Sequence, residues 1–367
     1  MHDVLIIGGG VIGLSLAWDL ARHGQSVQVL DQQQPGREAS WAGAGILPPA
    51  SLAHAIHPYD RLRALAIHLH PQWADELRRV TGIDNGYRVC GGIYLGRTPG
   101  EAAALAAWAA KERDEGIAVE RLERAQLTQI EPGLATQAPH TSAYYLPEEA
   151  QLRNPRHVAA LFAACQQAGV DVVADCGVSH FSIHNEQITE VQTTAGPMSA
   201  RHYCFTAGAW TGQLLKHLAI RIGILPIRGQ MVMFRAERPP ISRIINDGPR
   251  YIVPRDDGRL LVGSTEEEVG FDKRTTDVVL SELAELARSL VPALRDAPIE
   301  QTWAGLRPGS FDGLPYLGPL PGLKNATIAA GHFRSGLYLS TGTAVVMSQY
   351  IRGEVPHIDL APFRVGR

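Results

Sequence analysis

Residues 1–31 read MHDVLIIGGGVIGLSLAWDLARHGQSVQVLD, and their order of residue types is already an architecture. Residues 4–7 are a short apolar run of the kind that forms a strand buried on both faces. Gly8, Gly10 and Gly13 follow at G-x-G-x-x-G spacing. A helix opens behind them with Leu14, Ala17, Leu20 and Ala21 along one stripe, and Gly24 stands where a helix ends. Residues 26–30 form a second apolar run, closed by Asp31.

Each type has a mechanical reason to be there. Gly8 permits a tight turn out of the strand, Gly10 lets backbone approach a pyrophosphate, and Gly13 lets helix and strand pack closely. The helix start turns its free N–H groups toward phosphate charge. Asp31 sits about twenty residues on, where a carboxylate accepts the hydroxyls of an adenosine ribose and repels a 2′-phosphate. A glycine-rich turn between any strand and helix would share the three glycines, but not the second strand and the acid. The stretch reads as a dinucleotide site that disfavours NADP.

The 367 residues exceed one ordinary core, so two domains are expected. Hydrophobic residues make up 45% and charged residues 19%, the composition of a soluble globular chain. A formal net charge of −3 gives nucleic acid no purchase. The beginning lacks a basic n-region and its apolar run reads as the first strand, not a signal peptide. No run approaches the ~20 apolar residues of a membrane span, so no membrane partner is expected. Cys90, Cys165, Cys176 and Cys204 form no C-x-x-C pair and read as buried thiols of a reducing cytoplasm. The histidines show no H-E-x-x-H pattern, and no metal is expected.

Farther along, residues 38–47 (EASWAGAGIL) are dense in small side chains, suiting either a flexible loop or backbone passing close to a large flat ligand. A long helix is expected over 59–80, interrupted near Pro71, and another over 101–115. A strand at 143–146, a helix at 155–168 and a strand at 170–173 read as a second β-α-β crossover. Strands at 187–193 and 200–205 would bracket a turn at Gly196-Pro197, the latter running into Thr206-Ala207-Gly208-Ala209-Trp210.

From residue 224 the pattern changes to strands at 231–234, 251–254 and 260–262, closed by a helix at 277–290. Residues 303–315 read as loop. A strand at 326–330 then feeds Gly331-His332-Phe333-Arg334-Ser335-Gly336-Leu337 and a helix running to 351. The switch of pattern and back predicts an α/β fold: a Rossmann-like dinucleotide-binding domain, which the resemblance described below makes FAD-binding, with an inserted antiparallel-sheet (α+β) substrate domain. Its expected boundaries are 1–88, 153–222 and 300–367 for the first domain, and 89–152 with 223–299 for the second.

The glycine motif with Asp31, the 40–47 loop, Thr206-Ala207-Gly208, Leu306-Arg307-Pro308 and the 331–336 loop resemble, in order, the D-amino-acid oxidase (DAO) family of FAD-dependent amine oxidases. Tyr251-Ile252-Val253-Pro254-Arg255 and Gly331-His332-Phe333-Arg334-Ser335-Gly336 are most similar to its glycine-oxidase branch, the ThiO type of thiamine biosynthesis. The resemblance implies that FAD is held by Gly8, Gly10, Val11, Ile12, Gly13, Asp31, Gln32, Ser40, Ala44, Gly45, Ile46, Val173, Ala207, Gly208 and Trp210. It implies Arg307, His332, Phe333, Arg334, Ser335, Gly336 and Leu337 as further contacts. No cysteine occurs in 307–315, so FAD is expected to be non-covalent.

By the same resemblance, a small amine is oxidised to its imine while O2 becomes hydrogen peroxide, in a homotetramer. Arg307 would grip the substrate carboxylate bidentately, Tyr251 would donate to it, and Arg334 would lie near flavin and amine. Read alone, an arginine in a Pro/Gly segment is a surface residue and a strand tyrosine a core one. No general base is expected; the helix after Gly336 would turn its positive end toward the flavin. Ile46 and Glu266 stand where this branch carries methionines, which leaves glycine, sarcosine and bulkier amines open as substrates. A D-amino-acid oxidase, a quinone-linked dehydrogenase and a non-catalytic flavin protein are the alternatives.

Overall fold

A computed structural model describes residues 1–135 and 141–367. Its first layer is a six-stranded sheet in the order Tyr316–Pro319, Ala326–Ala330, Ala200–Phe205, His2–Ile7, Val27–Leu30, Asp171–Val173. All neighbours run parallel except the first pair. His2–Ile7 (β1) and Val27–Leu30 (β2) flank the helix Val11–Arg22 (α1), as the opening residues predict. Leu14, Ala17 and Leu20 of α1 are fully buried, in one core with Leu62, Trp73, Leu77, Leu161 and Met347 from three other helices. The opposite face is covered by a three-stranded antiparallel sheet of residues 178–198.

The second layer is an eight-stranded sheet in the order Ile299–Ser310, Ile224–Arg235, Arg259–Gly263, Arg250–Pro254, Ile244–Asp247, Gly92–Gly96, Ser142–Leu146, Glu120–Leu122. It is antiparallel except where Ile244–Asp247 runs parallel to Gly92–Gly96. The amphipathic helix Asp277–Leu290 lies on one face, burying Leu283 and Ala287 with Val232, Phe234 and Leu260. The other face is turned toward the first layer, and a cavity lies between them.

Several expectations need correcting. The helix Pro58–Thr81 runs unbroken through Pro71 to a left-handed Gly82. One absent backbone donor is outweighed there by a buried stripe of Leu62, Ala66, His70, Trp73 and Leu77. Ser142–Leu146 and Asp171–Val173 belong to different sheets, so the helix Asn154–Gln167 returns the chain from one layer to the other and is no β-α-β crossover. Gly196 and Pro197 lie inside a short strand, Gly196–Met198, paired with Gln187–Thr193; the reversal falls at 194–195.

The largest correction concerns residues 303–315. Ile299–Ser310 is a twelve-residue strand paired from end to end with Ile224–Arg235. Prolines and glycines are tolerated because it is the edge of the sheet, where missing donors face outward, and Pro308 sits opposite Pro226. The expected first-domain segment 300–367 therefore opens inside the eight-stranded sheet. The last helix begins at Ser340, after a 3-10 turn at Phe333–Ser335.

Candidate active site

The cavity between the layers measures about 620 Å3. At one end it is bounded by the turn between β1 and α1. Gly8 has φ +115°, and a Cβ there would stand 2.6 Å from the backbone of Thr206. A Cβ on Gly13 would stand 2.0 Å from the Gly8 oxygen, so Gly13 allows strand and helix to approach and does not itself line the cavity. Gly10, at the N-cap of α1, offers no side-chain cap and the first turn holds no acid, which leaves the positive end of the helix to the cavity.

Asp31 lines the wall and braces the glycine turn: Oδ2 accepts the Gly9 N–H at 2.8 Å and Oδ1 accepts that of Gln33 at 2.9 Å. Burial pushes its carboxyl above the usual range, against those two bonds. Val173 stays outside the wall and accepts the Asp31 N–H at 3.0 Å.

The small residues of 38–47 explain themselves here. Ser40 Oγ accepts the Val11 N–H at 2.9 Å, tying the segment to α1. The Trp303 indole donates to the Ala42 oxygen at 3.0 Å, tying it to the edge strand. A Cβ on Gly305 would stand 2.5 Å from the Ala42 methyl, so the bare backbone of the edge strand packs on that methyl with no room to spare. Arg255, almost fully buried, donates to the oxygens of Ala44, Gln151 and Leu152 and locks the segment to the strand Arg250–Pro254. Val11, Ile12, Gln32, Ala44, Gly45 and Ile46 line the wall, as do Ala207, Gly208 and Trp210.

His332, Phe333, Arg334, Gly336 and Leu337 also line it; Ser335 points away and binds the Tyr338 hydroxyl at 2.8 Å. Phe333 holds φ +48°, left-handed backbone that is strained for an aromatic residue. His332 is buried, with Nε2 3.2 Å from the Thr343 hydroxyl, and burial pulls its pKa down to about 3, so the ring is neutral. Arg334 donates to Glu266 at 2.8 Å, and both side chains are two-fifths exposed.

The far wall is the eight-stranded sheet. Arg307 extends over Gly229, where a Cβ would stand 2.4 Å from its Nη1. Nη1 donates to the Thr265 oxygen at 2.8 Å and Nη2 to the Ser264 hydroxyl. The Tyr251 hydroxyl donates to the same Ser264 oxygen at 3.3 Å. Arginine and tyrosine thus converge on one side of the cavity, a pairing that suits a carboxylate.

The sequence reading missed Glu149, Asn246, Tyr94, Met231 and Gly229, all on the wall. Glu148-Glu149 reads as a solvated acidic pair, and nothing local marks its second member as buried. Gly229 and Met231 alternate along their strand as Gly305 and Arg307 do along the edge, a period-2 signal available only once 299–310 is read as a strand.

The wall residues fit an adenine-flavin dinucleotide. The start of α1 and the glycine turn would take the diphosphate. Asn154 Oδ1, buried at the wall, has no partner among the described residues and would accept from a ligand. Among the described residues there is no cluster able to hold a metal ion, and no helix is long and apolar enough to cross a membrane.

Comparison with known proteins agrees. The family described as DAO, FAD dependent oxidoreductase, matches residues 3–350. The glycine oxidase of Pseudomonas putida is 36% identical over 368 residues, 98% of this chain and 97% of that protein. The bifunctional protein ThiO/ThiG of Trichormus variabilis is 32% identical over 95% of this chain and 52% of its own. The crystal structure of glycine oxidase from Geobacillus kaustophilus superposes with a TM-score of 0.94 at 33% identity, covering 100% of this chain and 98% of that one.

Proposed function

Because this chain belongs to the DAO family of FAD dependent oxidoreductases, we propose that it is a glycine oxidase. Glycine loses two electrons and two hydrogens to become the imine, water converts the imine to glyoxylate and ammonia, and O2 leaves as hydrogen peroxide. The observation that carries the reading is the convergence of Arg307 and Tyr251 on Ser264, with the guanidinium laid over Gly229. Similarity to glycine oxidases over the whole chain supports the choice of amine.

Bound FAD supplies the two-electron chemistry and the transfer to oxygen. The wall-lining members of the expected set, Gly8 to Leu337, would hold it without a covalent bond. Arg307 and Tyr251 would fix the carboxylate, so that the α-carbon is presented in one orientation. The helix Ser340–Ile351 has no acid in its first turn, and its positive end stabilises negative charge in the cavity. No side chain is assigned as a general base.

In the division of labour proposed, 1–88, 153–222 and 300–367 surround FAD and 89–152 with 223–299 close over the substrate, except that the edge strand Ile299–Ser310 belongs with the substrate-facing sheet. Four free cysteines, three of them buried, support a cytoplasmic location. A role in thiazole synthesis is supported by the relative that joins ThiO to ThiG in one chain. A homotetramer is the assembly we propose, to be checked by light scattering.

Anaerobic mixing of the yellow protein with glycine, sarcosine, D-alanine, D-proline and iminodiacetate tests the reading. Glycine should bleach the flavin fastest, and air should restore the colour with peroxide formed. Failure of every small amine to bleach it would overturn the assignment in favour of a non-catalytic flavin protein.

A further inference from the structure

Cavity-facing positions of the eight-stranded sheet are in register from strand to strand. Met231 stands opposite Gly263, Gly263 opposite Tyr251, Tyr251 opposite Asn246 and Asn246 opposite Tyr94. At the Tyr94 end, Glu149 reaches into the row from the segment before the strand Ala150–Gln151. Its carboxyl is 0% exposed, yet it lines the cavity. The Tyr94 hydroxyl donates to Oε1 at 2.8 Å and the Asn246 amide reaches Oε2 at 3.5 Å. Gly92 makes the room: a Cβ there would stand 1.4 Å from Oε2.

Both hydrogen-bond partners are uncharged. Burying a carboxylate beside neutral groups is costly, so burial pushes the Glu149 pKa up to about 7. Glu112, on the helix Pro99–Asp114 and itself paired with Arg63, acts in the same direction. The Cys90 thiol also faces it, raised by burial. At neutrality the group can therefore accept or donate a hydrogen bond into the cavity. Strands are spaced by about 4.8 Å, which sets Asn246 roughly 10 Å from the Ser264 end. Glycine is too short to span that gap.

We propose that Glu149, Tyr94 and Asn246 form a second polar subsite of this cavity, which binds the hydroxyl or ammonium end of a substituent on an amine substrate longer than glycine. The proposal rests on Arg307 as the carboxylate clamp.

Unreactive carboxylates test it through the flavin absorbance of the holoenzyme, with no turnover. Acetate needs only the clamp. 6-Hydroxyhexanoate and heptanoate are of one length and differ only in hydroxyl against methyl at the far end. In the wild type, the Kd of heptanoate divided by that of 6-hydroxyhexanoate should exceed the same ratio in Glu149→Leu by at least tenfold. Equal ratios overturn the subsite. Should Glu149→Leu not fold, Glu149→Gln carries the test: the wild-type ratio should change across pH 6–8 and the variant's should not, and matching profiles overturn the proposal. Acetate that leaves the spectrum untouched in the wild type would remove the clamp, and the subsite with it.

Discussion

Tyr251 and Arg307 meet at one atom, the hydroxyl oxygen of Ser264, although 56 residues separate them in the chain. The phenol comes from an inner strand and the guanidinium from the sheet edge, so only the completed sheet brings them together. Loss of a bidentate, charge-assisted contact costs about 3–4 kcal/mol, or two to three decades. Arg307→Ala should therefore raise the KM for glycine by two orders of magnitude or more, with FAD still bound. Tyr251→Phe, which removes one neutral donor, should cost about tenfold. Steady-state peroxide assays decide, and unchanged kinetics in Arg307→Ala would remove that residue from the site.

Gly229 offers an independent check on the same arginine. A methyl group at this position would stand 2.4 Å from Nη1 and 2.6 Å from Nη2 of Arg307, so the guanidinium must move. The flexible side chain can yield, so the fold should survive. Gly229→Ala should raise the KM for glycine at least tenfold while the melting temperature changes by only a few degrees. A variant with wild-type KM would mean that the arginine works from another position.

How much of this was legible in the sequence depended on how local the signal was. The turn at Gly8, Gly10 and Gly13 and the acid at Asp31 are read from a single β-α-β unit, and the structure returns them where expected. The other wall is made of cross-strand neighbours, and one misread segment hides them. With residues 303–315 taken as loop, the shared face of Trp303, Gly305 and Arg307 had no pattern to belong to. Glu149 was invisible for a different reason. Its burial is set by the missing side chain of Gly92, 57 positions earlier, and no periodicity within its own segment reports that.

Gly13 separates the cofactor's site from its surroundings. It does not touch the cavity, but a Cβ there would stand 2.0 Å from the Gly8 oxygen and 2.7 Å from the Thr206 hydroxyl. Backbone cannot yield as a side chain can. Gly13→Ala should push α1 away from the glycine turn and yield protein that loses its flavin on gel filtration. Asp31→Asn, which keeps the shape but removes charge, should weaken FAD binding by about tenfold while leaving the helix seated. The 450 nm absorbance retained after dialysis distinguishes the two, and full retention by Gly13→Ala would refute the packing argument.

Three buried histidines and a half-buried fourth, His202, predict acid lability. Burial holds His70 and His202 down to a pKa of about 4, and His157 and His332 to about 3. His70 and His157 lie 6.2 Å apart, so each also disfavours a proton on the other. In the unfolded chain all four titrate near 6.5. Below that value the unfolded state binds protons that the folded state refuses, so the stability these rings contribute is whole above pH 6.5 and lost as the pH falls toward 4. Each ring contributes a slope approaching ~1.4 kcal/mol per pH unit within that window. Glu149, raised to about 7, acts with the opposite sign, since its folded form holds a proton that the unfolded form releases; it is one group against four. Thermal melts of the holoprotein should give a Tm that changes little from pH 7.5 to about 6.5, where the histidines and Glu149 partly offset each other, then a steep fall down to pH 4.5. His157→Asn should make that fall shallower, and a Tm that stays level to pH 4.5 would show that these rings are solvated in the folded protein.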